Sequence, residues 1–470
     1  MAADPLHNQS LEQMDIAAFF HPATSIAEHL ETGPRVMVRG SGVHVTDNKG
    51  REYIDGAAGL WSTNIGYGRM EIVEAISRQA SALPFFHSFT SMSNEPSIRL
   101  AERILRWTPE GMSKVFFGLG GSDANDTNVK IVWYYNNMRG LPGKKKIISR
   151  NRAYHGTTVA AGSLTGLPIN HQGFDLPLSM IKHTHSVDQY REKPEGMNEG
   201  DFTAYLASEL EALILAEGPE TVAAFIAEPI MGTGGVLVPP AGYFPAIQAV
   251  LDRYDILMIA DEVICGFGRT GEKFGSDSFE IRPDIITMAK GLSSGYLPIS
   301  ASAIGGKVWQ VLEDTAPKMA SFGHGFTYPA HPTCAAAALA NLEIIEREDL
   351  VGNAARAGER LRTRLGEELF DHPLVGDIRG RGLMIGVELV ADKKTKAVID
   401  PTHKFGLRVM KRGYEEGVIV RALPHGNVIA MSPPLIFTDD NIEELVAGLK
   451  RAILAVHEEC HCDGIDLSRP

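Results

Sequence analysis

An α/β fold built on a mostly parallel central sheet is predicted by three observations. Two short apolar runs, residues 256–260 and 285–289, have the length and composition of strands buried on both faces. Each ends abruptly in charge, the first in Asp261-Glu262 and the second in Lys290. A third run, residues 114–117, leads into a glycine-rich loop and then a helical stretch over 127–138, the strand–loop–helix order of an α/β unit. Ligands collect at the carboxyl ends of strands in such sheets, which makes Asp261 and Lys290 candidate functional residues. Side chains alternate along a strand, so Asp261 and Glu262 face opposite ways and cannot act on one ligand as a pair. Val263 returns to the face of Asp261.

The elements can be justified in chain order. Residues 1–35 read as an irregular, partly helical arm. Residues 36–38, 43–45 and 53–55 alternate as small antiparallel strands, with Asp47-Asn48-Lys49-Gly50 as a turn. The stretch 70–82 has helical periodicity and runs into the aromatic cluster Phe85-Phe86-His87-Ser88-Phe89. A helix is expected from about residue 95. After it come the strand 114–117 and the loop Gly118-Leu119-Gly120-Gly121-Ser122-Asp123-Ala124-Asn125-Asp126. Small residues there let backbone amides and a helix dipole approach an anion, although the spacing is not that of a dinucleotide fingerprint. A strand at 147–149 delivers Tyr154-His155-Gly156-Thr157, and Lys144-Lys145-Lys146 before it reads as a solvated turn. Residues 166–200 are loop-rich. The strand 221–227 presents Glu228-Pro229, with Glu228 a candidate for positioning Arg421 or a water. A long helix is expected from Cys334. The last 110 or so residues form a second α/β unit, in which a strand over 417–420 carries Arg421 at its end.

Composition bounds the function. At 470 residues, with 44% hydrophobic and 22% charged, the chain can bury a large core in more than one domain. A formal charge of −13 argues against nucleic acid or an anionic membrane surface as the partner. Four cysteines are too few for a disulfide scaffold and suit a reducing compartment. The first 24 residues contain no Lys or Arg and no long apolar core, so a cytoplasmic protein is expected. The tail His457-Glu458-Glu459-Cys460-His461-Cys462 carries metal-capable side chains, but its spacing fits no defined zinc site, and no metal is expected.

A lysine lifted out of solvent loses its proton easily and can form a Schiff base, while a nearby carboxylate can hold a proton on a pyridine nitrogen. That pairing is the protein's part in pyridoxal phosphate chemistry. Asp261-Glu262-Val263, then Gly266-Phe267-Gly268-Arg269-Thr270-Gly271, then Lys290-Gly291-Leu292 together resemble the signature of the class III (omega) aminotransferases. The resemblance runs from about residue 40 to about 454 and is nearest to the amine:pyruvate transaminases. It implies the fold-type I architecture, with a large cofactor-binding domain over 76–335. A smaller α/β domain is implied from both chain ends, 1–75 and 336–470.

The same resemblance implies residue roles. Lys290 would hold pyridoxal 5′-phosphate and shuttle the proton, and Asp261 would keep the ring nitrogen protonated. The loop at Gly121 and Ser122 resembles the phosphate-binding Gly-Ser-Glu-Ala-Asn loop, with Asp123 where Glu is usual. Tyr154 would stack on the ring opposite Val263, and His155 would support the site from behind. Leu60, Trp61, Phe89 and Tyr154 would form the pocket, and Arg421 would bind a substrate carboxylate. Thr327 would reach the phosphate of a neighbouring subunit, implying a homodimer with shared sites or a tetramer built from it. The implied reaction joins an amine donor to a keto acid acceptor, with pyruvate favoured, and gives a ketone or aldehyde and alanine. Omega-amino acid:2-oxoglutarate transfer, decarboxylation, racemisation and internal amine migration on the same scaffold stay open.

Overall fold

The computed structural model describes residues 9–318, 321–425, 427–465 and 467. Its strands, in chain order, are β1 (Met37–Ser41), β2 (His44–Asp47), β3 (Glu52–Asp55), β4 (Met112–Gly118) and β5 (Lys146–Arg150). They continue as β6 (Ile181–Thr184), β7 (Val222–Ala227), β8 (Leu257–Asp261), β9 (Ile285–Met288) and β10 (Ser300–Gly305). The C-terminal part adds β11 (Val375–Gly380), β12 (Ile385–Leu389), β13 (Val418–Ile419), β14 (Arg421–Ala422) and β15 (Val428–Met431).

One seven-stranded sheet has the order β4-β10-β9-β8-β7-β5-β6. From β6 to β9 every neighbouring pair is parallel, and β10 is the reversed strand, antiparallel to both β9 and β4. β7, β8 and β9 are buried at every position because helices cover both faces. Phe225, Ala227, Met258 and Ala260 pack with Phe202, Leu206 and Phe244 of the helices Glu199–Glu217 and Tyr243–Arg253. Ala224, Ile226, Leu257 and Ile259 pack the other way, with Val129 and Val132 of the helix Gly121–Met138. Double-sided burial is the reason these strands read as unbroken apolar runs.

Two smaller sheets bring the chain ends together. In the order β1-β2-β3-β13, β13 lies parallel to β3, pairing Val418 with Ile54. The sheet β11-β12-β15-β14 is antiparallel and sets Arg421 opposite Ala430. The single strand expected over 417–420 is therefore two short strands on different sheets, and Arg421 opens the second. Helix Gly121–Met138 also starts earlier than the expected residue 127. The Asp123 carboxylate accepts the Leu119 and Gly120 amides at 2.8 Å each, so the chain turns helical at the loop's fourth residue.

The N-terminal arm holds α1 (Leu11–Ala18) and α2 (Ile26–Thr32), capped by Ser10 and Ser25. Among the described residues no helix is long and apolar enough to cross a membrane.

Arg269, from the glycine-rich motif after Asp261, joins distant parts of the chain. It is fully buried and donates to the carbonyls of Leu383 and Pro433 and, at 2.8 Å, to Asn64 Oδ1. Burial pulls its guanidinium down to about 9. Removing the side chain leaves three buried acceptors without a donor, at about 1–3 kcal/mol each. Arg269→Ala should therefore lower unfolding stability by at least about 3 kcal/mol in urea titrations. Arg282→Ala, which breaks an exposed pair with Asp252, should change it by less than about 1 kcal/mol.

Candidate active site

The carboxyl ends of β4, β5, β7, β8 and β9 lie along one edge of the large sheet and carry the chain into Gly121, Tyr154, Glu228, Asp261 and Lys290 respectively. The register Asp261↔Thr287 sets the last residue of β8 level with β9, three residues before Lys290.

Asp261 is 3% exposed and both oxygens of its carboxylate have partners. Oδ2 accepts from Asn125 Nδ2 at 2.9 Å and faces His155 Nδ1 at 2.7 Å, while Oδ1 accepts the Val263 amide at 3.1 Å. Asn125 is itself fixed, donating to the His155 carbonyl at 2.7 Å and accepting from Thr287 Oγ1 at 2.8 Å. Asn128 donates to Thr287 in turn at 2.8 Å. Glu262 points the other way, as alternation requires. It accepts the Gly275 and Ser276 amides and the Ser276 hydroxyl, at 2.9, 2.6 and 2.6 Å.

Lys290 follows β9 with φ of 43°, a backbone conformation that side chains bearing a Cβ rarely adopt. Desolvation lowers its ammonium to about 8, Asp261 opposes the shift, and the positive Arg421 adds to it. At pH 7 roughly one such amine in ten is neutral, against about one in a few thousand for an ordinary lysine. The site thus holds a nucleophilic amine beside a buried carboxylate.

A third feature is the first turn of the helix Gly121–Met138. Among the described residues the amides of Gly121 and Ser122 have no acceptor, as the geometry of a helix start dictates. A Cβ on Gly121 would lie 3.0 Å from Val263 Cγ2, so glycine there lets the helix start sit against Val263. Ser122 Oγ accepts the Thr157 amide at 3.1 Å. Gly156, at φ of 128°, lies so close that a Cβ would stand 2.4 Å from that oxygen.

The pocket residues divide. Tyr154 and Arg421 are half-buried neighbours, and burial raises the phenol while it lowers the guanidinium. Arg421 Cζ stands 5.8 Å from the centroid of the Trp61 ring. Trp61 is not an open wall within the protomer. It is 1% exposed, packed among Ile264, Met384 and Leu423, while Leu60 beside it is 59% exposed. The Asp55 carboxylate fixes this turn by accepting the Ala57 and Gly59 amides and the Tyr67 hydroxyl. Phe89 is also exposed, and its ring lies beside Gly325, two residues before the exposed Thr327. Among the described residues Thr327 has no hydrogen-bond partner. Phe89 and Thr327 therefore belong to one patch of the surface.

Glu228 does not position Arg421. Its buried carboxyl, raised by desolvation, accepts the amides of Tyr154 and Gly232 at 3.0 and 2.9 Å and so fixes the turn that carries Tyr154. Sequence reasoning also missed Asn125, Thr287 and Asn128 as supports of Asp261. The available signal was a threonine inside an otherwise apolar strand and two asparagines one helical turn apart.

A buried carboxylate, a lysine of depressed pKa and an open helix start on one edge of such a sheet define a fold-type I pyridoxal phosphate site. A family model for aminotransferase class III matches residues 26–453, and the chain belongs to that family. It is 48% identical over 461 residues to the diaminobutyrate–2-oxoglutarate transaminase of Halomonas elongata, covering 97% of this chain and 98% of that one. Gamma aminobutyrate transaminase 1 of Solanum lycopersicum, a mitochondrial protein, is 44% identical, with 90% and 82% covered. The omega transaminase of Pseudomonas jessenii, solved in complex with PMP, superposes with a TM-score of 0.94 at 48% identity, covering 97% of this chain and 100% of that one. The protein is thus a pyridoxal phosphate-dependent aminotransferase, and its acceptor-free amides, carboxylate and amine suit that cofactor's phosphate, ring nitrogen and carbonyl carbon.

Gly156→Ala should drive Ser122 from its place. We expect it to lose cofactor on gel filtration, seen as lost yellow absorbance, with an unchanged far-ultraviolet circular dichroism spectrum. Only a neutral amine can attack the cofactor carbonyl. With Lys290 as that amine, the uptake rate by the apoprotein should climb with pH, reach half its plateau near pH 8 and flatten about one unit above, where an ordinary lysine would still be climbing.

Proposed function

We propose that the protein transfers an amino group from an amine or omega-amino acid to pyruvate, giving a ketone or aldehyde and alanine. The observation that carries the acceptor is Arg421, which has neither an ion-pair nor a hydrogen-bond partner among the described residues. The two arginines at and after the end of β5 are buried and have partners of their own. Arg150 donates to the Glu228 carbonyl, and Arg152 pairs with Asp188 and donates to the Gly234 carbonyl. One free guanidinium suits one carboxylate, and its planar fork matches that group with two parallel hydrogen bonds. The half-buried Tyr154 beside Arg421 offers apolar ring surface to a donor lacking a carboxylate.

Bound pyridoxal phosphate supplies an electron sink for the pair left on the donor carbon. Lys290 Nζ holds the cofactor, then removes the proton from the amine-bearing carbon and later returns one. Its lowered pKa suits both tasks near neutral pH. Asp261 keeps the proton on the ring nitrogen, and Asn125 and His155 keep Asp261 in place. The Gly121 and Ser122 amides would hold the phosphate, while Tyr154 and Val263 would flank the ring and exclude water. Phe89 and Thr327, exposed together, complete the site of a second protomer in a homodimer.

Transfer to 2-oxoglutarate is the second reading, favoured by the activity of the Halomonas relative. Holoprotein treated with 1-phenylethylamine, beta-alanine or a diamine should lose its yellow absorbance, and pyruvate should restore it. Restoration by 2-oxoglutarate alone would establish the second reading, and no bleaching by any donor would overturn both. Arg421→Ala should lower kcat/KM for pyruvate by about 10–100-fold, the size of a lost charged hydrogen bond. Bleaching by 1-phenylethylamine should change by less than about threefold, and equal losses would remove Arg421 from acceptor binding.

A further inference from the structure

Far along the chain from these residues, in the N-terminal arm, two imidazoles and a carboxylate point at one another. His21 Nε2 lies 2.9 and 3.0 Å from the two oxygens of Asp15, and His29 Nε2 lies 3.1 Å from Asp15 Oδ1. All three ligand atoms fall within 4.8 Å of one another, and the imidazole centroids are 4.5 Å apart. The side chains of Asp15, His21 and His29 are 17%, 25% and 12% exposed.

Burial in a core does not account for this convergence, since neither α1 nor α2 contains a buried residue. Hydrogen bonding accounts for only half of it. His21 makes a hydrogen bond to the carboxylate, but His29 Nε2, a buried atom, makes none despite its 3.1 Å approach to Asp15 Oδ1. A nitrogen that nears an oxygen without aiming a proton at it is placed as two ligands of one cation are placed. Tetrahedral zinc with bonds of about 2.0–2.1 Å sets its ligand atoms roughly 3.3 Å apart. The nitrogen–oxygen separations of both imidazoles from Asp15 fall just inside that value.

We propose that Asp15, His21 and His29 bind one divalent cation of the zinc class, with water in the fourth position. Two neutral imidazoles and a carboxylate are a donor set such ions favour over magnesium or calcium. The ion closes the chain between α1 and α2. Each helix is already anchored to the body, Glu12 by Asn48 at 2.8 Å and Glu28 by Lys411. Zinc therefore fixes the arm against the β2–β3 turn and the helix Phe405–Glu415. It is a structural site, separate from the chemistry at Lys290.

The test uses untagged, cofactor-loaded full-length protein, stripped with EDTA, titrated with zinc chloride and gel-filtered before metal analysis. One retained zinc per chain is expected, with at least tenfold weaker binding in His29→Ala and in Asp15→Asn. His461→Ala, in the metal-capable tail, should bind as the unaltered chain does. Zinc should also slow chymotryptic cleavage at Phe20, which is 81% exposed, and should fail to do so in either arm variant. No retained zinc in the unaltered chain, or equal retention in both arm variants, would overturn the proposal. Loss of binding in His461→Ala would move the site to the tail and overturn it equally.

Discussion

The hydrogen bonds that hold the buried Asp261 carboxylate are the constraint on which the rest of the site depends. A carboxylate at 3% exposure is costly unless its oxygens are met. Here they are met by Asn125 from one helix, His155 from the turn after β5, and the amide of Val263. The supports are in turn tied to β9 through Thr287. The network thus ties the ends of β5, β8 and β9 to one another across the sheet, and Lys290 lies three residues beyond Thr287. Desolvation that endangers an unpaired acid also pulls the lysine ammonium down, so the two halves of the site share one physical cause.

The second dependency is between sheets. Arg421 reaches the edge of the large sheet because the chain leaves β13, paired with β3, and enters β14, paired with β15, within a few residues. Its position therefore rests on the N-terminal strands as much as on the C-terminal ones. Arg269 enforces the same union from the large sheet, donating to Asn64, Leu383 and Pro433. Arg421 and the edge of the large sheet are held together by buried hydrogen bonds, which break at a higher cost than exposed ion pairs do.

The arm follows a different logic. With no buried residue in α1 or α2, it is held by a few polar contacts, so a metal cross-link there would change its persistence far more than the stability of the body. The same exposure is seen at Phe89, Leu60 and Thr327.

Much of this was legible in the chain itself. Unbroken apolar runs ending in Asp261 and Lys290 can satisfy their burial only as parallel strands covered on both faces, so the fold class and the two central residues were determined locally. The glycines around 120 were equally legible, because small residues are what let backbone amides at a helix start approach an anion. Four features were decided only by tertiary structure: Glu228 serving the Tyr154 turn, Trp61 packed out of solvent, Arg421 moved onto another sheet, and Asp15, His21 and His29 converging. Each depends on pairings between residues distant in sequence, or on where a neighbouring turn falls. Periodicity reports which face a side chain occupies on its own element; it carries no information about which other element that face will meet.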